Sequence, residues 1–121
     1  MLSDGRPIFE QVAEQLENDI VDGTLADDDQ VPSTNELAAF HRINPATAAK
    51  GVNQLVNDGI LTKRRGIGMF VAPGAREKLR ERRRAQLSGQ YVAPLVAEAH
   101  KLGIALDHLH TLLDTCWKER T

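Results

Sequence analysis

Apolar residues recur early in the chain at Ile8, Phe9, Val12, Leu16 and Ile20, the spacing that gathers side chains into one stripe of a helix. The pattern predicts a helix from residue 7 to about 22, with Pro7 in its first turn and Gly23 as its stop. A shorter apolar face follows at Leu37, Ala38 and Phe40, ending by about His41, and another at Ala48, Val52, Leu55 and Val56. Ile60-Leu61-Thr62 and Met69-Phe70-Val71 then read as the two strands of a small hairpin. Pro73 and Gly74 break the pattern. Helical steps resume at Leu79, Leu87, Tyr91, Leu95, Val96, Ala99 and Leu102, with a kink or break expected at Ser88-Gly89 and Pro94 and an end at Gly103. A last helix is expected from about Leu106 to Lys118, with Leu106, Leu109, Leu112, Leu113 and Cys116 or Trp117 facing inward.

Polar residues supply the boundaries. Ser33 and Glu36 have the spacing of a capping box, in which a hydroxyl and a carboxylate satisfy each other's backbone N–H groups. Asn44 is a good N-cap, and Pro45 suits the first helical position because its missing N–H would be unpaired there. Gly59 is the expected left-handed stop. Two capped helices, the first about two turns long, joined by three or four residues, match a helix-turn-helix. The second would be the recognition helix, with Ala46, Thr47, Ala49, Lys50 and Asn53 outward. Lys63-Arg64-Arg65-Gly66-Ile67-Gly68 then joins three positive charges to two glycines, which permit a tight turn and close backbone approach to a phosphate or minor groove. Helix, turn, helix and basic hairpin in this order form a winged helix-turn-helix that reads double-stranded DNA. The expected fold is mainly α with a small β-hairpin, an N-terminal winged helix-turn-helix (1–73) followed by a C-terminal helical dimerisation segment (74–121).

Charge changes the picture locally. The net charge of −2, from 15 basic and 17 acidic residues, is a counter-signal for a DNA-binding chain. Yet from Arg42 to Arg65 five basic residues stand against Asp58 alone, whereas before Arg42 only Arg6 offsets ten acids. Such polarisation suits a protein that approaches DNA with one face. Arg76 to Arg84 adds six bases and two acids, which suit phosphate contact or a charged connecting helix.

The combination resembles the DNA-binding domain of GntR-type bacterial transcription regulators. The likeness is carried by Pro7 to Val12 (PIFEQV), Ile20 to Leu25 (IVDGTL), Val31-Pro32-Ser33, Glu36-Leu37-Ala38, Asn44 to Thr47 (NPAT), Asp58 to Leu61 (DGIL) and Arg65 to Val71 (RGIGMFV). It covers residues 7 to 72, and the short remainder together with the Asn-Pro-x-Thr start is most similar to the YtrA-like subfamily. Asn35 and Ala49 depart from the family pattern, and Pro45 departs from it outside that subfamily, at positions where basic or polar residues commonly contact DNA. These departures argue against copying another member's operator. The resemblance implies a cytoplasmic homodimeric regulator, a repressor on a pseudo-palindromic operator, with a small-molecule effector allowed. On that reading Ser33, Thr34 and the nearby helix amides hold phosphates. Asn35, Asn44, Ala46, Thr47 and Lys50 face base edges or neighbouring phosphates, and Lys63, Arg64, Arg65, Gly66 and Gly68 place the wing on the minor groove.

The C-terminal leucines need a partner, because about 45 residues are too few to enclose a core. A second copy of the segment is the natural one, and a two-fold dimer sets two recognition helices about one DNA turn apart. The expected interface is Leu79, Leu87, Tyr91, Leu95, Leu102, Leu109, Leu112, Leu113 and Trp117.

Other chemistries lack support in the residues. Asp27-Asp28-Asp29 has neither the glycine nor the terminal glutamate of an EF-hand and is read as a turn. His108 and His110 stand two apart on a helix and point to different faces, so with His100, Asp107 and Cys116 they make ordinary surface or interface residues rather than a metal site. No hydrolase, nucleotide-binding or metalloprotease motif appears, and neither enzymatic activity nor a cofactor is expected. A lone cysteine, no signal peptide and no membrane-length apolar run suit a reducing cytosol. The remaining alternative is a winged-helix protein-interaction module, which would not need a Lys-Arg-Arg wing.

Overall fold

The computed structural model describes residues 5–121. Helix α1 (Ile8–Val21) begins one residue after Pro7, whose carbonyl accepts the Glu10 and Gln11 N–H groups at 3.1 and 3.3 Å. Proline therefore stands at the cap itself. Helix α2 (Thr34–His41) starts with the capping box complete: Ser33 Oγ accepts the Glu36 N–H at 3.1 Å, and Glu36 Oε1 accepts the Ser33 N–H at 3.0 Å. The turn to α3 (Pro45–Asn57) is Arg42-Ile43-Asn44. Arg42 takes the left-handed conformation (φ 57°), and the Ile43 N–H returns to the Ala38 carbonyl at 3.0 Å, closing α2.

Strands β1 (Leu61–Arg64) and β2 (Gly68–Val71) pair antiparallel, Leu61 with Val71 and Arg64 with Gly68. The hairpin is longer than its apolar residues predicted. Lys63 and Arg64 are strand residues, and the turn narrows to Arg65-Gly66-Ile67, closed by the Ile67 N–H on the Arg64 carbonyl at 2.9 Å. Gly66 (φ 77°) supplies the backbone this turn demands. The other edge of β2 is taken by residues 28–31: Asp28 donates to Val71, Val71 to Asp29 and Val31 to Met69, all through backbone groups at 2.9 Å. The three aspartates before it do form a turn. Asp29 Oδ2 accepts the Ala26 N–H at 2.8 Å, Asp27 Oδ2 accepts the Gly74 N–H at 2.9 Å, and Asp28 is left-handed (φ 67°).

Helices α1 and α2 both pack on α3. Val12 and Ile20 of α1, Val52 and Leu55 of α3, Ile60, Val71 and Leu79 are the largest fully buried side chains. Each contributes about 1.5–3 kcal/mol through removal of apolar surface from water. Gly51 lets α1 approach α3 closely: a Cβ there would lie 2.6 Å from the Phe9 carbonyl oxygen.

Helix α4 spans Ala75–Leu87, and the chain's compact units divide within it, one ending at Glu81 and the next running Arg82–Thr121. Ala75 and Leu79 belong to the core of the first unit. Leu79, expected on the dimer stripe, is only 1% exposed and already spoken for by that core. Where a kink or a break was expected in the second unit, the helix changes its winding without breaking. A π-helical stretch, Ser88–Val92, leads into α5 (Ala93–Lys101), with the Ala93 N–H bonded to the Ser88 carbonyl. The wider turn carries the chain into Pro94, which sits in the first turn of α5 where an N–H is dispensable. Gly103 (φ 67°) turns the chain, and α6 runs Leu106–Arg120. Ala99 and Leu109 are buried, whereas Leu87, Tyr91, Leu95, Leu102, Leu106, Leu112, Leu113 and Trp117 are exposed. Leu106, Leu112, Leu113 and Trp117, expected to face inward, are open to solvent within this single chain. Among the described residues no helix is long and apolar enough to cross a membrane.

Candidate nucleic-acid interface

Three elements of the first unit carry the residues singled out for DNA contact. At the start of α2, Ser33 and Asn35 are exposed and Thr34 is half-buried. The Ser33 backbone N–H, then its hydroxyl, hold the Glu36 carboxyl below the usual carboxylate range, so the capping box stays charged and intact at neutral pH. Helix α3 begins on Asn44, whose Oδ1 accepts the Ala46 N–H at 2.7 Å. The side chain of Asn44 thus sets the helix start, and the exposed Ala46, Lys50 and half-buried Thr47 follow on the first two turns.

Lys50 and Arg64 do not simply extend into water. The Lys50 ammonium lies over the Phe9 ring, 4.1 Å from its centroid. The Arg64 guanidinium lies over the Phe70 ring at 4.0 Å and reaches Asp28 Oδ1 at 3.6 Å. Each cation is steered by an aromatic face, an arrangement that keeps charge while limiting the conformations of a long side chain. On the wing, Lys63, Arg65 and Gly66 are exposed. Gly68 (φ 144°) passes against Gln30, whose Nε2 donates to the Ile67 carbonyl at 3.1 Å and anchors the turn.

Phe9, Asp28, Gln30 and Phe70 escaped the sequence reading as members of this face. Gln30 acts across 37 residues and Phe9 across 41, separations at which no local periodicity speaks. Elsewhere, among the described residues, no group of three or more His, Cys, Asp or Glu side chains converges to hold a metal, and Cys116 is exposed.

The chain also matches known proteins. A family model described as "Bacterial regulatory proteins, gntR family" covers residues 8–71. The HTH-type transcriptional repressor YtrA of Bacillus subtilis is 32% identical over 104 residues, covering 86% of this chain and 79% of YtrA, so the likeness extends into the C-terminal helices. Among solved structures, a GntR family transcriptional regulator from Listeria monocytogenes superposes with a TM-score of 0.75 at 25% identity, covering 94% of this chain and 98% of the other. The DNA-binding domain of AraR, solved in complex with operator ORX1, superposes with a TM-score of 0.55 at 31% identity over 59% of this chain and 93% of that domain. Sequence, winged-helix geometry and C-terminal extent agree, and the chain belongs to the gntR family of bacterial regulatory proteins.

Proposed function

We propose that this DNA-binding transcription regulator is a repressor that occupies a pseudo-palindromic operator as a homodimer and is released by a small effector. The observation that carries the DNA reading is the pairing of two fully capped helices with a cationic wing in one well-packed unit. Helix N-termini present backbone N–H groups to phosphates, α3 presents small and basic side chains to a groove, and the wing brings Lys63 and Arg65 beside Gly66. The repressor YtrA and the operator complex of the AraR DNA-binding domain support the same reading.

The test is a titration with the promoter DNA upstream of the protein's own gene at two salt concentrations. The expected result is saturable binding that outcompetes random DNA, weakens steeply with salt as counterions are released, and leaves a two-fold footprint. Weak, salt-insensitive binding without sequence preference would favour a protein-interaction module instead.

Dimerisation is assigned to Arg82–Thr121. Its exposed Leu87, Tyr91, Leu95, Leu102, Leu112, Leu113 and Trp117, beside only two buried positions, describe a segment that lacks a core of its own. An isologous contact with a second copy would cover that surface. A chain ending at Glu81 retains Leu79 and should sediment as a folded monomer; a dimer at that length would remove the C-terminal helices from the interface.

A further inference from the structure

A cleft of about 470 Å³ lies between α1 and α2, the two helices that both rest on α3. Its apolar wall is built from Val12 and Leu16 of α1, Leu25, and Leu37 and Phe40 of α2, with Phe40 76% exposed at its side. Asp19 of α1 and Glu36 of α2 also line it. The two carboxylates differ. Glu36 is engaged with the Ser33 backbone. Asp19 is half-buried, and among the described residues no donor or cation meets its side chain. Burial, and then the charge of Asp22, push its carboxyl above the usual range, the mark of an anion lacking a counter-charge. His41, across the cleft on α2, is held by burial below the usual imidazole range and does not supply that charge at neutral pH.

These features select among ligands. An anion would meet Asp19 and Glu36. A neutral apolar molecule would desolvate Asp19 further and leave it unpaired. Among the described residues a bare metal ion finds no converging set of ligands. We propose that the cleft binds an apolar organic cation, an alkyl or arylalkyl ammonium whose charge rests on Asp19 and whose hydrocarbon lies along Leu16, Leu37 and Phe40. Glu36 lines the cleft and also completes the capping box at Ser33, so a cation held there acts on the α2 N-terminus and weakens DNA contact. That consequence, an effector site inside the DNA-binding unit, rests on the repressor reading; the binding itself does not.

The probe pair is phenylbutylamine and its uncharged counterpart phenylbutanol, titrated into the full-length protein while backbone amide NMR shifts are followed. The amine should shift α1 and α2 residues around the cleft and bind about tenfold tighter than the alcohol, the worth of a charge-assisted hydrogen bond. Asp19→Asn should erase that preference, and Phe40→Ala should weaken both probes. Equal affinities, shifts elsewhere, or no shifts at millimolar probe would overturn the site. Operator binding is measured separately, with and without amine. If the amine binds but the free protein has no operator preference, the site stands and the repressor reading falls. If both bind independently, the proposed regulation is wrong.

Discussion

The two units of this chain solve the problem of apolar surface in opposite ways. The first folds three helices, a hairpin and the start of α4 around a common core in which Val12, Ile20, Leu55, Ile60 and Val71 are almost wholly excluded from water. The second has seven leucines in 40 residues, against seven in 81 for the first, but buries Ala99 and Leu109, leaving Tyr91, Leu102, Leu106 and Trp117 each more than 60% exposed. The same apolar residue type therefore means different things in each. In the first it encodes a fold, and in the second it stays at the surface.

The largest expected effect sets one leucine of each unit against the other. Leu55→Ala should lower unfolding stability by about 2–5 kcal/mol, because it empties volume in a closed core. Leu113→Ala, at a half-exposed position, should instead raise the dimer dissociation constant while the first unit retains its melting behaviour. Denaturant titrations at two protein concentrations separate them. The Leu55 variant loses stability at both, and the Leu113 variant only where dimer is populated. A Leu113 variant that destabilised a dilute monomer as much as Leu55→Ala would abolish the distinction between the units.

A second contrast lies within the DNA-reading face. Arg65 in the wing turn is exposed, whereas Arg64 is drawn over Phe70 toward Asp28. Arg65→Ala should weaken operator binding by roughly 1–3 kcal/mol and lower the salt slope by about one ion. Unchanged affinity and slope would take the wing off the DNA.

How much of this was legible beforehand follows the range of the interaction. Ser33 and Glu36, Asn44 and Pro45, and Gly59 act within a few residues, and the helix starts and stops they predict are where the chain puts them. The π-helical passage at Ser88–Val92 reads in the sequence only as a kink or a break, because proline and glycine signal trouble for a helix without saying how it is absorbed. The segment on the other edge of β2, residues 28–31, carries no alternation of its own and depends on a strand forty residues later. Gly51 carries no local signal inside α3, although its missing side chain is what allows α1 to close on it. Leu79 continued the helical pattern of the C-terminal segment, and only packing shows that it serves the other unit.

A further test uses acid to stress the first unit. Burial depresses the pKa of His41 below its unfolded value near 6.5, so the folded state favours the neutral ring. Its contribution to stability is present above the unfolded pKa and is lost as pH falls through the folded one. Thermal melts of the wild type should therefore drop between neutral pH and pH values below about 6, and His41→Gln should flatten that part of the profile. An unaltered slope in the variant would assign the loss to other groups.

The smallest expected effect concerns the ring beneath Lys50. Phe9 belongs to α1 and is half-buried outside the core cluster, yet its ring holds the Lys50 ammonium of α3 at 4.1 Å. A cation–π contact at an exposed position is worth about 0.5–1 kcal/mol. Phe9→Leu keeps an apolar side chain at this position but removes the ring face, and operator affinity should fall by no more than that, with the salt slope unchanged because Lys50 retains its charge. Phe9→Tyr should restore wild-type affinity. A Leu variant that bound more tightly would mean that the ring holds Lys50 back from DNA, and one that also lost folding stability and was not rescued by Tyr would make Phe9 a core residue alone.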